Sequence, residues 1–210
     1  MNNYTVFPCI LKRPKRADVL RRLGYNKKVE ISKSDMQDIE LSIEKAEQYC
    51  MPSARIIYMP IIARSNNEIT LENGIVLISD KLARMLINSE EVLIMGATLG
   101  SDVSKKIEDE LRFGDKVFSV ILDGYASESV DSALDFVMQC ETQKLVSKSQ
   151  VLTKHRFSPG YGNLDMRFQK DLFEMLRFEE MGVTITDSYM LMPEKSVIAL
   201  AGVKTVNMNN

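Results

Sequence analysis

The chain has 210 residues, 45% apolar and 27% charged, the proportions of an ordinary soluble globular protein, and its length fits one domain or a tight pair sharing a core. A formal charge of -2 excludes a general attraction to nucleic acid or to anionic membranes. Three cysteines (Cys9, Cys50, Cys140) are odd in number and too far apart for a disulfide framework or a zinc knuckle, and the single histidine, His155, excludes any triad or His-rich metal site that does not use it.

The start, Met1-Asn2-Asn3-Tyr4, lacks the charged and apolar regions of a signal peptide, and no window approaches the roughly 20 apolar residues of a bilayer span. A reducing cytoplasm is the expected setting. Lys12 to Arg22 is the one basic cluster; diluted by Pro14 and Asp18, it reads as a solvated helix start. Ala17 to Tyr25 reads as a short helix stopped at Gly24. In Ser34 to Cys50, the residues Met36, Ile39, Ile43, Ala46 and Cys50 recur at three-to-four spacing, which predicts an amphipathic helix ended by Pro52. Arg55 to Ala63 is rich in β-branched residues and predicts a strand, with Pro60 at an edge or bend. Glu68 to Leu71 and Ile75 to Ile78 flank Glu72-Asn73-Gly74, a strong hairpin signal, and Ser79 caps a helix to about Ile87.

Glu91 to Met95 is a continuous apolar run and reads as a buried strand. Ser101 is the expected cap of a helix in which Val103, Ile107 and Leu111 repeat every four residues. Lys116 to Asp123 is ambiguous: a strand, or the start of a long buried helix running to about Thr142. On the helical reading Val117, Val120, Ile121, Gly124, Asp131, Leu134 and Met138 share one inner stripe. Asp171 to Glu180 predicts a helix ended by Met181-Gly182, Ser196 to Val203 the last strand, and the Asn-rich end beyond it a loose tail. There is no internal repeat. Hairpin-paired strands with grouped helices imply an α+β fold, a mostly antiparallel twisted sheet with helices packed around it, over a single domain, 1–210.

Arg156-Phe157-Ser158-Pro159-Gly160-Tyr161-Gly162 is the strongest local feature. Arg156 offers a planar fork for a carboxylate or phosphate, the glycines allow close backbone approach, and Tyr161 presents a ring to a flat or cationic group. Together these suit a zwitterionic nucleoside; the plainer alternative is a Pro-Gly turn with a surface arginine. Asp131, on the inner stripe, needs a partner, which a ligand ammonium or sulfonium or a basic side chain would supply. Gly96-Ala97-Thr98-Leu99-Gly100, between strand and helix, admits a second reading as the glycine loop of a doubly wound methyltransferase, with Asp123 on the ribose. Its spacing is not G-x-G-x-x-G, and such a turn more often packs a strand against a helix. Thr186 to Pro193 reads as structural, Glu108-Asp109-Glu110 and Glu179-Glu180 as solvated helix faces, and His155 as a shaping neighbour of the loop. No catalytic residue and no metal ligand set stands out.

Four segments, taken in order, resemble a known family: Arg156 to Gly162, Gln169 to Phe173, Gly182 to Ser188 and Met192 to Val197. Their order and spacing are similar to those of the activation domain of cobalamin-dependent methionine synthase, most of all its short stand-alone bacterial forms. Gly96 to Gly100 and Leu23-Gly24-Tyr25 add to the likeness, which covers roughly Arg16 to Val203. The resemblance implies an S-adenosylmethionine-binding module that supports reductive remethylation of cob(II)alamin held on a partner. That partner would be a methionine synthase or another corrinoid protein, with a flavodoxin-like electron donor. The chain would then be an accessory component, not catalytic alone. Arg156 matches the arginine that holds the ligand's amino-acid end. Ser158 falls where the family presents backbone, Gly160 and Tyr161 match ligand-contacting positions, and Asp131 stands where the family has a glutamate in a long helix. That match favours helix over strand for Lys116 to Thr142. The chain departs from the family in the shorter Asp131, in Asp165 where relatives often have proline, and in lacking a counterpart of the tyrosine that full-length synthases place beyond the last strand. Two further readings stand beside this one: a docking partner of a corrinoid protein that binds no ligand, and an independent methyltransferase.

Overall fold

In the computed structural model, which describes residues 4–25 and 32–206, Thr5–Phe7 forms a short strand, β1, and Arg16–Arg22 the helix α1, which stops at Gly24. The first residues read for a targeting signal, 1–3, and the Asn-rich end, 207–210, lie outside the described residues. Ser32 caps α2 (Lys33–Glu47), its hydroxyl accepting the Asp35 N–H at 3.1 Å, and Ile39 and Ala46 form the buried stripe. The strand β2 (Ser53–Arg64) is followed by the hairpin β3 (Glu68–Leu71) and β4 (Val76–Ile78), turned by Gly74 at φ +86°, a conformation open to glycine at little cost. Ser79 caps α3 (Asp80–Met85), and β5 (Glu91–Thr98) follows.

Ser101 does not cap α4 (Ser101–Phe113). It is the first helical residue; Gly100 holds the cap position and its N–H donates to Thr98 Oγ1 at 3.0 Å. Leu111, the third member of the expected apolar repeat, is exposed. The ambiguous segment is helical: α5 runs from Lys116 to Val146, capped by the Asp115 carboxylate, which accepts the Val117 and Phe118 N–H groups. After β6 (Gln150–Leu152) comes α6 (Phe168–Leu176), which starts three residues earlier than expected because Phe168 and Gln169 are already buried. Nor does it reach Glu180. Arg177 at φ +46° breaks it, and a 3-10 turn, Phe178–Met181, swings Phe178 fully under the sheet. A small hairpin, β7 (Thr184–Ile185) and β8 (Leu191–Met192), precedes β9 (Ser196–Thr205).

Seven strands form one sheet in the order β4-β3-β2-β5-β9-β6, with β1 also paired to β2, and every pairing given for the described residues is antiparallel. Pro60, with no N–H to donate, falls where the free edge of β2 passes from β1 to β3. Alternation along the central strands builds two cores. Leu93, Met95, Ala97, Ala199 and Ala201 meet Val130, Ala133, Leu134 and Val137 of α5, while Val92, Ile94, Ile198 and Leu200 meet α3 and α6. Gly96 lets α6 approach closely, since a Cβ there would stand 3.0 Å from Leu176 and Phe178. A third cluster joins the first half of α5 to α1, α2 and α4 through Val19, Ala46, Val103, Phe118 and Leu122. The upper part of the expected inner stripe is therefore not buried: Val117 and Val120 are exposed, because this end of α5 has left the sheet.

A helix at Lys116 to Asp123 and an antiparallel sheet overturn the doubly wound reading. Asp123 lies on α5 and takes the Lys195 ammonium at 2.7 Å, and Gly96 serves packing. Among the described residues no helix is long and apolar enough to cross a membrane, and no group of three metal-ligating side chains comes together.

Candidate functional site

The loop after β6 is pinned to β9 at two points. The Thr153 N–H donates to Gly202 O at 2.8 Å, and Phe157 and Leu200 exchange both backbone hydrogen bonds at 2.9 and 2.7 Å. Phe157 packs into the core on the α6 side, so alternation directs its neighbour Arg156 to the opposite face, that of α5. There Arg156 Nη1 bonds the Asp135 carboxylate, and its Nη2 lies 3.8 Å from Asp131 Oδ1.

Asp131 has a second cationic neighbour. Arg22, in the last turn of α1, reaches Asp131 Oδ2 with Nη2 at 3.4 Å and Glu128 Oε1 with Nε at 2.6 Å. α1 packs on α5 beside Gly124, one turn before Glu128, where a Cβ would lie 2.9 Å from the end of the Leu23 side chain, Cδ2. Glu128, Asp131 and Asp135, spaced three and four apart, share one face of α5. Asp131 is thus on the flank of the helix, its side chain 48% exposed, and not in the sealed interior that an inner stripe implies. Partial burial raises its pKa above the usual 3.8; Arg156 and then Arg22 oppose that rise, while Glu128 and Asp135 add to it.

The rest of Arg156 to Gly162 is closed on itself. The Gly160 N–H donates to Leu164 O at 2.9 Å and the Tyr161 N–H to Ser158 O at 3.2 Å, so these two amides are not free for a ligand. Gly160 sits at φ +84°, and a side chain there would also meet Met166 Sδ at 2.9 Å. Pro159 is buried and Ser158 half-buried, while Tyr161 projects into solvent, 72% exposed. Asn163 ties the loop to α3, accepting from Ser79 Oγ at 2.6 Å and donating to Asp80. The structure therefore brings Arg156 and Asp131 together and holds Ser158 and Gly160 in the same loop, with the Tyr161 ring at its open tip. Cavities of about 460 and 640 Å³ lie elsewhere. The first is lined by Ile10 to Arg13, Cys50, Tyr125 and Ser129, the second by Ser104, Lys105, Gly182, Met192 and Pro193.

Sequence reasoning missed Arg22, Glu128 and Asp135. The spacing of the three acids was visible; that α1 would lie across them was not. The basic cluster read as a solvated helix start is in fact paired, although it stays exposed: Arg13 with Glu47 at 2.5 Å, Arg16 with Glu40, and Arg22 with Glu128 and Asp131. Lys195, in the Met192 to Val197 segment, is nearly buried against α5, donating to Asp123 at 2.7 Å and Ser127 at 2.9 Å.

No family model matches the chain, and no curated protein matches it. Among solved structures it is similar to a MetH reactivation domain bound to AdoHcy, with 11% identity and a TM-score of 0.72, over 96% of this chain and 78% of that one. At that identity the likeness is one of fold, and over nearly its whole length the chain has the fold of that reactivation domain.

Proposed function

We propose that the chain is an S-adenosylmethionine-binding reactivation module that acts in trans on a cobalamin-dependent methionine synthase and supports reductive remethylation of cob(II)alamin. The observation that carries this reading is the fold shared with a domain that holds AdoHcy, the demethylated form of that ligand. The nearness of Arg156 to Asp131 supports it, because one small zwitterion can touch both. The module's own chemistry is orientation, the hard step belonging to the corrinoid on the partner. Arg156 holds the ligand carboxylate, Asp131 balances positive charge, Ser158 and Gly160 present the loop, and Tyr161 frames the purine or the sulfonium. A flavodoxin-like protein supplies the electron.

Calorimetric titration of the purified chain with S-adenosylmethionine tests this. Arg156→Ala should weaken binding by about 2–4 kcal/mol, the usual cost of stripping one partner from a desolvated charge pair, and Arg156→Lys should recover only part. Asp131→Glu, which restores the family's longer carboxylate, should tighten binding. A second reading, a corrinoid-protein docking partner that binds no ligand, is favoured by one feature: the Arg156 fork is already engaged by Asp135 and Asp131. Absence of binding by the wild-type chain and by all three variants, with the fold intact, would leave that reading standing alone.

A further inference from the structure

The Asp131 carboxylate is held from two sides by arginines with different obligations. Arg156 is fixed at its root by the Phe157 pairing to β9 and is the fork assigned above to a ligand carboxylate. Arg22 comes from another element, the seven-residue α1, and its side chain is 43% exposed, so it can leave Asp131 without disturbing the sheet. Arg22 also has a fallback partner, Glu128, at 2.6 Å and only 14% exposed. Among the described residues, two guanidiniums face the three carboxylates of Glu128, Asp131 and Asp135, one negative charge in excess.

Building on the function proposed above, we infer that Arg22 is a built-in cation standing where a ligand's positive group must go. It thereby sets both the affinity for a sulfonium nucleoside and the preference over the thioether. S-adenosylmethionine carries an ammonium and a sulfonium; S-adenosylhomocysteine carries the ammonium alone. Either ammonium must compete with Arg22 for Asp131. Only the sulfonium form gains a second time from the net negative charge, and Arg22 dilutes that gain. A role confined to stapling α1 onto α5 would affect stability and leave ligand discrimination untouched.

The experiment is calorimetric titration of the full chain, as wild type, Arg22→Ala and Arg22→Lys, with each of the two nucleosides, alongside thermal unfolding. Arg22→Ala should tighten S-adenosylmethionine by about tenfold and S-adenosylhomocysteine by about threefold, the scale of one half-exposed charge near its partner. Arg22→Lys should return both toward wild type, since it keeps the charge. Binding of S-adenosylmethionine by Arg22→Ala where wild type shows none would also support the inference. If Arg22→Ala lowers the unfolding midpoint but moves neither affinity, Arg22 is a staple; if it moves both by one factor, Arg22 does not set the preference; either result overturns the inference while the function stands. If no protein binds either nucleoside, the inference and the function fail together.

Discussion

Arg55 offers the sharpest test of how the site loop is held, because the chain runs from Arg156 to Gly162 directly into α6, and Arg55 grips the far end of that helix. The side chain is 11% exposed on β2, on the α6 side of the sheet. Its Nη1 donates to Leu176 O at 3.2 Å, Arg177 O at 2.9 Å and Glu180 Oε2 at 2.7 Å, while Nε finds no acceptor among the described residues. The last carbonyls of a helix have no partner within it, and Arg55 supplies one to two of them at the point where Arg177 breaks α6. Arg55→Met removes these bonds and keeps most of the volume. Arg177 O keeps the Glu180 N–H at 3.1 Å, so among the described residues the buried Leu176 O is the carbonyl left orphaned, at a cost of about 1–3 kcal/mol. Relief of the unpartnered Nε returns part of this, so the net loss should be about 1–2 kcal/mol. The Glu180 carboxylate regains water, so the ion pair itself contributes little, and Glu180→Gln should cost clearly less than Arg55→Met. Urea unfolding of the three proteins, with slopes compared so that only midpoints are interpreted, measures both quantities. A Glu180→Gln loss as large as that of Arg55→Met would show that Coulomb attraction, and not helix capping, holds the end of α6.

Two further outcomes follow from protonation. Asp131, raised above 3.8 by burial against the pull of Arg156 and Arg22, takes up a proton more readily folded than unfolded; it favours folding below its unfolded value and loses that contribution as pH rises through the folded one. Ligand binding runs the other way: S-adenosylmethionine affinity should fall with pH at a higher value than an ordinary aspartate gives, and a fall that persists unchanged in Asp131→Asn would exclude Asp131 as its cause. Burial also pushes the Cys50 thiol up to about 12, while Cys9 is exposed and Cys140 half-buried. Alkylation of the native protein at about pH 8 should therefore modify Cys9 first and Cys50 last, with mass spectrometry identifying the sites, and equal rates would contradict the packing of α2 on α5.

Most of the fold was legible because its signals are local. Ser79, the Asn73-Gly74 hairpin and the β-branched run after Arg55 act through neighbours a few residues away, and each lies where expected. The errors cluster where a tertiary contact outweighs a local rule. Arg177 adopts a left-handed conformation inside what reads as one helix because the turn lets Phe178 fill the space beneath Gly96. Ser101 is a good capping residue in the wrong place, since the β5 backbone already delivers Thr98 Oγ1 to the Gly100 N–H. For Lys116 to Asp123, hydrophobicity alone was silent: that half of α5 passes among three helices, and its apolar residues face several directions at once.

The site was legible in half. Arg156 stands out because arginine beside a Pro-Gly turn is unusual chemistry, and its direction follows once Phe157 is known to face α6. Asp131 stands out because an acid on an apolar helix needs a reason. That reason is Arg156 and, 109 residues away, Arg22, and nothing local to Asp131 encodes either meeting. Gly124 leaves room for the end of the Leu23 side chain against α5, beside the turn that brings Arg22 to the acidic face. In the sequence Gly124 reads as one member of the inner stripe of the helix. A bulkier residue there would press on Leu23 and loosen the Arg22 contact, while Arg156 would still face Asp131.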